Sequence, residues 1–224
     1  MAVVNFPPVD LADEHGLLAL GGDLEVESLL LAYNRGIFPW PISDQYPLAW
    51  FCPNPRGIID FSDFIVGKSL RKFLRHSSYK TTFNRDFLSV IKNCQSIHTL
   101  RNQGQTWITD EIVAAYEKLH QAGHAYSVEV WNNQEQLVGG LYGVIIGAYV
   151  SGESMFYKAP NASKTAIVSL IERLQKTETT FLDTQMVTPV VASLGGSEIQ
   201  RQEFLNRLKL AKQSQAPSFL IPHE

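Results

Sequence analysis

Tyr126-Ser127-Val128-Glu129-Val130-Trp131, the pair Asn132-Asn133, and the run from Gln136 to Val150 are the stretch that decides the fold. The first six residues alternate in polarity with period two, the pattern of a strand with one face buried. The asparagine pair is turn chemistry, and the following run is apolar enough for a second strand, with room for a third. An antiparallel hairpin therefore sits at the centre of the chain. The run from Val138 to Gly152 is about 15 residues long and carries five glycines. It is too short to cross a bilayer, which takes about 20 apolar residues, and better suited to buried strands.

Helices flank this hairpin. Upstream, Ser69 to His76 reads as a basic helix, and Asn84 can cap a helix that lines up Phe87, Val90, Ile91 and Cys94. Thr109 caps another, with Asp110 and Glu111 in its first turn and Gly123 past its end. Downstream, Asn161 or Ser163 opens a helix with Ile167, Leu170, Ile171 and Leu174 inward. Phe181 to Val187 is a strand, Thr188-Pro189 starts a short helix, and Glu203 to Lys212 forms the last one. This order is α+β with a mostly antiparallel central sheet, similar to the acyltransferase fold of the GNAT superfamily. Before residue 62 only Val26 to Arg35 is helical, stopped by Gly36, and Pro39, Pro41, Pro47, Pro53 and Pro55 forbid long elements. The expected division is a small irregular domain over 1–61 and a larger one over 62–224.

Hydrophobic residues make up 45% of the 224 and charged residues 18%, which allows a buried core and excludes a disordered chain. Cys52 and Cys94 are too few for a disulfide framework and have no activating partner in the sequence. With no signal-peptide pattern at the start, a cytoplasmic protein is expected, without a membrane partner. The net charge of −3 says little by itself. Its distribution says more: Lys68, Arg71, Lys72, Arg75, Lys80 and Arg85 follow one another without an acidic residue among them. Such a run is either a solvated helix face or a local phosphate-binding face. His120 and His124 have the spacing of metal ligands, but Gly123 breaks the helix between them and no third ligand is near, so both are expected to be structural and no metal is expected. The glycines of the central run form neither a dinucleotide nor a P-loop motif.

Ten segments together resemble the leucyl/phenylalanyl-tRNA–protein transferase family. They are Phe6-Pro7-Pro8, residues 16–24 (GLLALGGDL), residues 32–40 (AYNRGIFPW), residues 50–56 (WFCPNPR), residues 106–109 (TWIT), residues 124–129 (HAYSVE), residues 139–143 (GGLYG), residues 152–156 (GESMF), residues 161–164 (NASK) and Asp183-Thr184-Gln185. They occur in the expected order from about residue 6 to 208, with Thr184 standing where a cysteine is common. The resemblance implies an enzyme using neither metal nor coenzyme A, and acting as a monomer. It would take Leu, Phe or less readily Met from aminoacyl-tRNA and join it to an N-terminal Arg or Lys, creating a degradation signal of the bacterial N-end rule pathway. The coenzyme A pyrophosphate loop of ordinary acetyltransferases is not visible before the Asn161 helix.

The chemistry suits such residues. An aminoacyl ester is already activated, and at pH 7 an amine of pKa roughly 7.7–8.0 is neutral about one time in ten, a handicap of only ~1 kcal/mol. Positioning carries most of that task. Asp183 and Gln185, two apart on a predicted strand, are expected to share a face. Alone, Asp-x-Gln is more often a surface pair; the resemblance places it at the reacting centre. There Gln185 bonds the attacking amine or the carbonyl, while Asp183 orients it or accepts a proton. Glu153 is either a turn carboxylate or, by the resemblance, a partner for the cationic acceptor. Trp50 and Trp107 are candidates to stack on the terminal adenine of the tRNA or to pack in the core. Leu141, Met155, Phe156 and Leu182 are candidates to line the donor side-chain pocket or simply to be core. The Lys68–Arg85 segment would take acceptor-stem phosphates. A transferase using acetyl-CoA, one building cell-wall peptides, and a noncatalytic RNA-binding module are the rival readings.

Overall fold

The computed structural model describes residues 3–43, 46–101 and 106–222. The N-terminal part contains β1 (Leu17–Leu20), α1 (Val26–Tyr33), β2 (Phe38–Pro39) and β3 (Ala49–Phe51). Then follow β4 (Arg56–Asp60), α2 (Lys68–His76), β5 (Lys80–Phe83), α3 (Phe87–Arg101), α4 (Asp110–Gln121), β6 (Ala125–Trp131) and β7 (Leu137–Ile146). The remainder is β8 (Tyr149–Val150), β9 (Ser154–Tyr157), α5 (Ala162–Leu174), β10 (Phe181–Gln185), α6 (Pro189–Ala192), β11 (Ser197–Ile199) and α7 (Arg201–Ala211).

The β6–β7 hairpin is the centre of a five-stranded sheet, with β5 on the far side of β6 and with β8 and β9 both paired to β7. All of these pairings are antiparallel. Period-two alternation divides the core between its faces. Tyr126, Val128, Val130 and Leu141 pack with α5, whereas Ala125, Tyr142 and Val144 pack with α3 and α4. The inward face of α5, Ile167, Leu170, Ile171 and Leu174, is buried as its spacing predicts. Each of these side chains contributes about 1.5–3 kcal/mol. The α+β class, with a helix-flanked and mostly antiparallel central sheet, is therefore the one found.

Three expectations change in detail. Arg56–Asp60 is the middle strand of a second sheet, ordered β10-β4-β11, so its pairing joins it to the C-terminal strands and not to the segment ending at residue 61. Asn84 does not cap α3. It is left-handed, at φ 56°, and its side chain accepts from Ser127 N and donates to Leu220 O. Asp86, two residues later, is the cap, accepting from Ser89 N at 3.1 Å. Asn161, also left-handed, precedes α5 without a side-chain capping bond.

Candidate functional site

The site is built where three elements meet. β10 lies beside β4, and the link between β8 and β9 runs against β10, through a parallel bridge from Ser151 to Asp183 and a bond from Gly152 N to Asp183 O at 2.8 Å. Gly143 on β7 makes this approach possible: a Cβ there would stand 1.7 Å from Ser151 O. The N-terminal α1 closes the site from the other side.

Asp183 is fully buried and surrounded by donors. Arg56 Nε donates to Oδ1 at 2.9 Å and Nη2 to Oδ2 at 2.7 Å. Tyr149 donates to Oδ2 at 2.6 Å, and Gln185 N to Oδ1 at 3.0 Å. Arg56, Tyr149 and the Gln185 backbone together bring four donors to the two Asp183 oxygens. The Asp183 charge in turn raises the pKa of the buried Tyr149, with desolvation the larger cause.

Gln185 does not share a face with Asp183 in the way simple alternation predicts. The register of β10 slips between the two residues, and Gln185 is left-handed at φ 57°. That turn sends its amide away from Asp183: Nε2 donates to Glu153 Oε1 at 3.1 Å. The same Oε1 accepts from Ser151 Oγ at 2.6 Å, and Tyr33 also hydrogen-bonds the Glu153 carboxyl. The Tyr33 hydroxyl meets that of Tyr116 in α4 in a short contact. Glu153 keeps an edge open to solvent, but its carboxyl is enclosed by protein, and burial pushes its pKa up to about 7. Ser151 and Tyr33 work against that rise, Asp183 adds to it, and Arg56 offsets Asp183. Glu153 is thus poised to exchange a proton near neutrality.

The aromatic expectations divide. Trp107 is half-buried, with its ring stacked on Trp40 at 5.1 Å and 22°. Trp50 is 1% exposed, donates from Nε1 to Gly21 O at 2.8 Å, and meets Phe6 edge-on at 4.9 Å. It is a core residue with no free face for a base. Trp40 is the residue the sequence reading passed over, although it ends the Phe38-Pro39-Trp40 segment. With Phe38, Ile42, Phe51, Pro53 and Met186 it lines an apolar cleft of about 440 Å³. Met186 follows Gln185, so this cleft adjoins the polar cluster. Among the donor-pocket candidates, Leu141 and Met155 face each other across β7 and β9 and share a cluster with Leu182. Phe156 belongs to the opposite face of the sheet, beside Val90 of α3, and is excluded from that group by strand alternation.

The basic run also divides. Lys68, Arg71, Lys72 and Arg75 are exposed on α2, whose Leu70 and Leu74 pack inward. Lys80 and Arg85 instead both reach Glu135, at 3.4 and 3.3 Å, so their charge is partly neutralised by one carboxylate. His120 stacks on Phe87, and His124 meets Ile145 O at 3.4 Å, which are structural contacts. Cys52 and Cys94 are buried, and burial pushes the Cys94 thiol up to about 12. Among the described residues no helix is long and apolar enough to cross a membrane.

A carboxyl that burial brings toward neutrality, bonded by an amide at a strand junction, is an arrangement that proton transfer in a group-transfer reaction can use. The sequence profile described as leucyl/phenylalanyl-tRNA protein transferase matches residues 58–209, and that of the N-terminal domain of the same proteins matches residues 22–54. A leucyl/phenylalanyl-tRNA–protein transferase of Flavobacterium johnsoniae is 48% identical over 204 residues, covering 91% of this chain and 95% of the relative. One from Pseudoalteromonas atlantica is 48% identical over 224 residues, covering 99% and 94%. The chain belongs to the leucyl/phenylalanyl-tRNA–protein transferase family and is an aminoacyltransferase. Among solved structures it has partial similarity to L-PGS from Bacillus licheniformis, with a TM-score of 0.42 and 14% identity over 70% of this chain and 49% of the other.

Proposed function

We propose that the enzyme takes Leu, Phe or less readily Met from its tRNA and forms a peptide bond with the N-terminal Arg or Lys of an acceptor protein. The product would be marked for N-end rule degradation in the cytoplasm. The observation that carries this reading is the Glu153 carboxyl held by the Gln185 amide at 3.1 Å and the Ser151 hydroxyl at 2.6 Å, in a chain of this family.

The terminal adenine stacks against the Trp40–Trp107 pair, a contribution of about 1–3 kcal/mol that suits an end shared by all tRNAs. The donor side chain enters the apolar region of Leu141, Met155 and Leu182. Such a region separates analogues by only about 1–3 kcal/mol per methylene, which fits the sharing of a site by Leu, Phe and Met. The acceptor ammonium approaches Glu153, which takes its proton. The freed amine nitrogen attacks the ester carbonyl carbon, and Gln185 holds the amine or the carbonyl oxygen. The C–N bond forms as the bond to the terminal ribose oxygen breaks, and that oxygen leaves with the second proton given up by the nitrogen. Along α2, the lysine and arginine side chains take acceptor-stem phosphates, giving salt-sensitive affinity that reads no sequence.

The test is transfer of radiolabelled Phe from Phe-tRNA to two peptides, one starting with Arg and one with Asp, by wild type and Gln185→Ala. Transfer to the Arg peptide alone, reduced in the variant, is expected. Failure of wild type to label either peptide overturns the reading.

A further inference from the structure

The mechanism above uses Glu153 and Gln185 but gives no role to Arg56, a fully buried cation. Its guanidinium lies between the rings of Phe38 and Phe204, 4.9 and 4.3 Å from their centroids. Two of its nitrogens bind Asp183, and the third, Nη1, donates to Gly36 O at 2.9 Å. Gly36 is left-handed, at φ 75°, and its own N–H bonds Tyr33 O, closing the end of α1. Arg56 therefore anchors two separate arms. One runs through Gly36 to Tyr33, whose hydroxyl bonds Glu153. The other runs through Asp183 Oδ1 to the left-handed backbone of Gln185, whose amide bonds Glu153 Oε1. Both arms end on one carboxyl.

We infer that Arg56 is a positioning residue of the transfer reaction, aligning Tyr33 and Gln185 on Glu153 from opposite sides. This rests on the proposed role of Glu153 and Gln185. With no exposed surface, Arg56 cannot touch substrate, so it acts through those two side chains. A stability role alone does not account for the arrangement. A buried ion pair roughly cancels its own desolvation, and apolar side chains of similar volume often serve as well. What apolar side chains cannot do is direct a bidentate fork at Asp183 and a third donor at Gly36.

The titratable groups facing Glu153 are Tyr33 of α1, Tyr116 of α4, Tyr126 and Tyr142 of the central hairpin, Tyr149 of β8, Asp183 and Arg56. Only the last two carry opposite full charges. Arg56→Lys keeps the charge but loses the fork, so it separates geometry from electrostatics.

The experiment measures kcat, KM and their pH dependence for Phe transfer to an Arg-starting peptide, with the thermal midpoint followed in parallel. Folded Arg56→Lys is expected to lose about 10- to 100-fold in kcat, the scale of a misplacement near 1 Å, with KM for Phe-tRNA and the acid limb of the profile unmoved. The double variant Arg56→Met with Asp183→Leu is expected to fold and to lose at least as much kcat. A folded Arg56→Lys with kcat within about twofold of wild type overturns the inference, as does a change confined to KM. If Arg56→Lys does not fold, the double variant decides, by the same kcat criterion. Failure of both to fold makes the arginine structural and overturns the inference as well. Absence of transfer by wild type would instead sink the functional reading on which this one rests.

Discussion

Two carboxylates stand next to each other at the heart of this protein, and their surroundings set them to opposite tasks. Asp183 has a guanidinium and two further donors and is closed to solvent. Glu153 has hydroxyls and an amide but no direct cation, and an edge that reaches water. Burial without a bonded cation raises the pKa of Glu153 toward neutrality, whereas Asp183 is bound by both arms of a buried guanidinium and forms one half of an ion pair. The acidic residue that looks most catalytic in the Asp-x-Gln motif is therefore the one tied to Arg56, and the one whose pKa burial raises is its neighbour.

The largest test of this contrast is Asp183→Ala. It leaves Arg56 as an uncompensated buried charge and should cost about 3–5 kcal/mol. Thermal unfolding would show this as a fall of roughly 10 °C, and an unchanged midpoint would contradict the clamp. Glu153→Gln should do the reverse, lowering the transfer rate by about 10²–10⁴ without loss of stability. The folded-state pKa of Glu153, about 7, lies above its ordinary 4.5, so the folded state holds the proton more tightly. Wild-type stability should then fall as pH rises from about 4.5 to 7 and stay level above, by on the order of 1–3 kcal/mol. The Gln variant should lack that slope in denaturant titrations. Wild-type transfer should rise with pH to a plateau with its midpoint near about 7, and the residual rate of the variant should lack this step.

Smaller effects are expected away from the carboxylates. Trp40→Ala should raise KM for aminoacyl-tRNA by the worth of a stack, about 1–3 kcal/mol, whereas Trp50→Phe should lower the thermal midpoint and leave that KM unchanged. Smallest is the contrast between basic residues at low salt. Reversing Arg71, Lys72 and Arg75 should weaken tRNA binding and flatten its salt dependence, and reversing Lys80 and Arg85 should do less, because Glu135 already offsets them. Equal effects would mean that α2 is not the phosphate face.

Period-two alternation and helix spacing made the central hairpin and its flanking helices legible, because they reflect burial on one face. Glu153, Asp183 and Gln185 stood out only through the family resemblance, since alone they read as a turn carboxylate and a surface pair; hydrogen bonds link the three in the structure. Arg56 was not legible. An arginine in a proline-rich stretch looks like a surface residue, and only folding brings it to a carboxylate 127 positions away. Trp40 was passed over for Trp50 because both lie among prolines, where no periodicity says which ring faces inward. The slip in β10 that separates Asp183 from Gln185 leaves no trace in composition, so alternation gave them a shared face that the backbone does not keep.

The central place of β4 in its sheet has a consequence for how the molecule comes into being. Its two partners begin only at Phe181 and Ser197, so the strand waits through most of synthesis with both edges unpaired. Contacts so distant in sequence form slowly, since closing the intervening loop costs entropy before anything is gained. Until β10 arrives, Arg56 remains hydrated. A chain arrested before residue 181 should hold a folded central hairpin and an aromatic N-terminal cluster, but no enzyme.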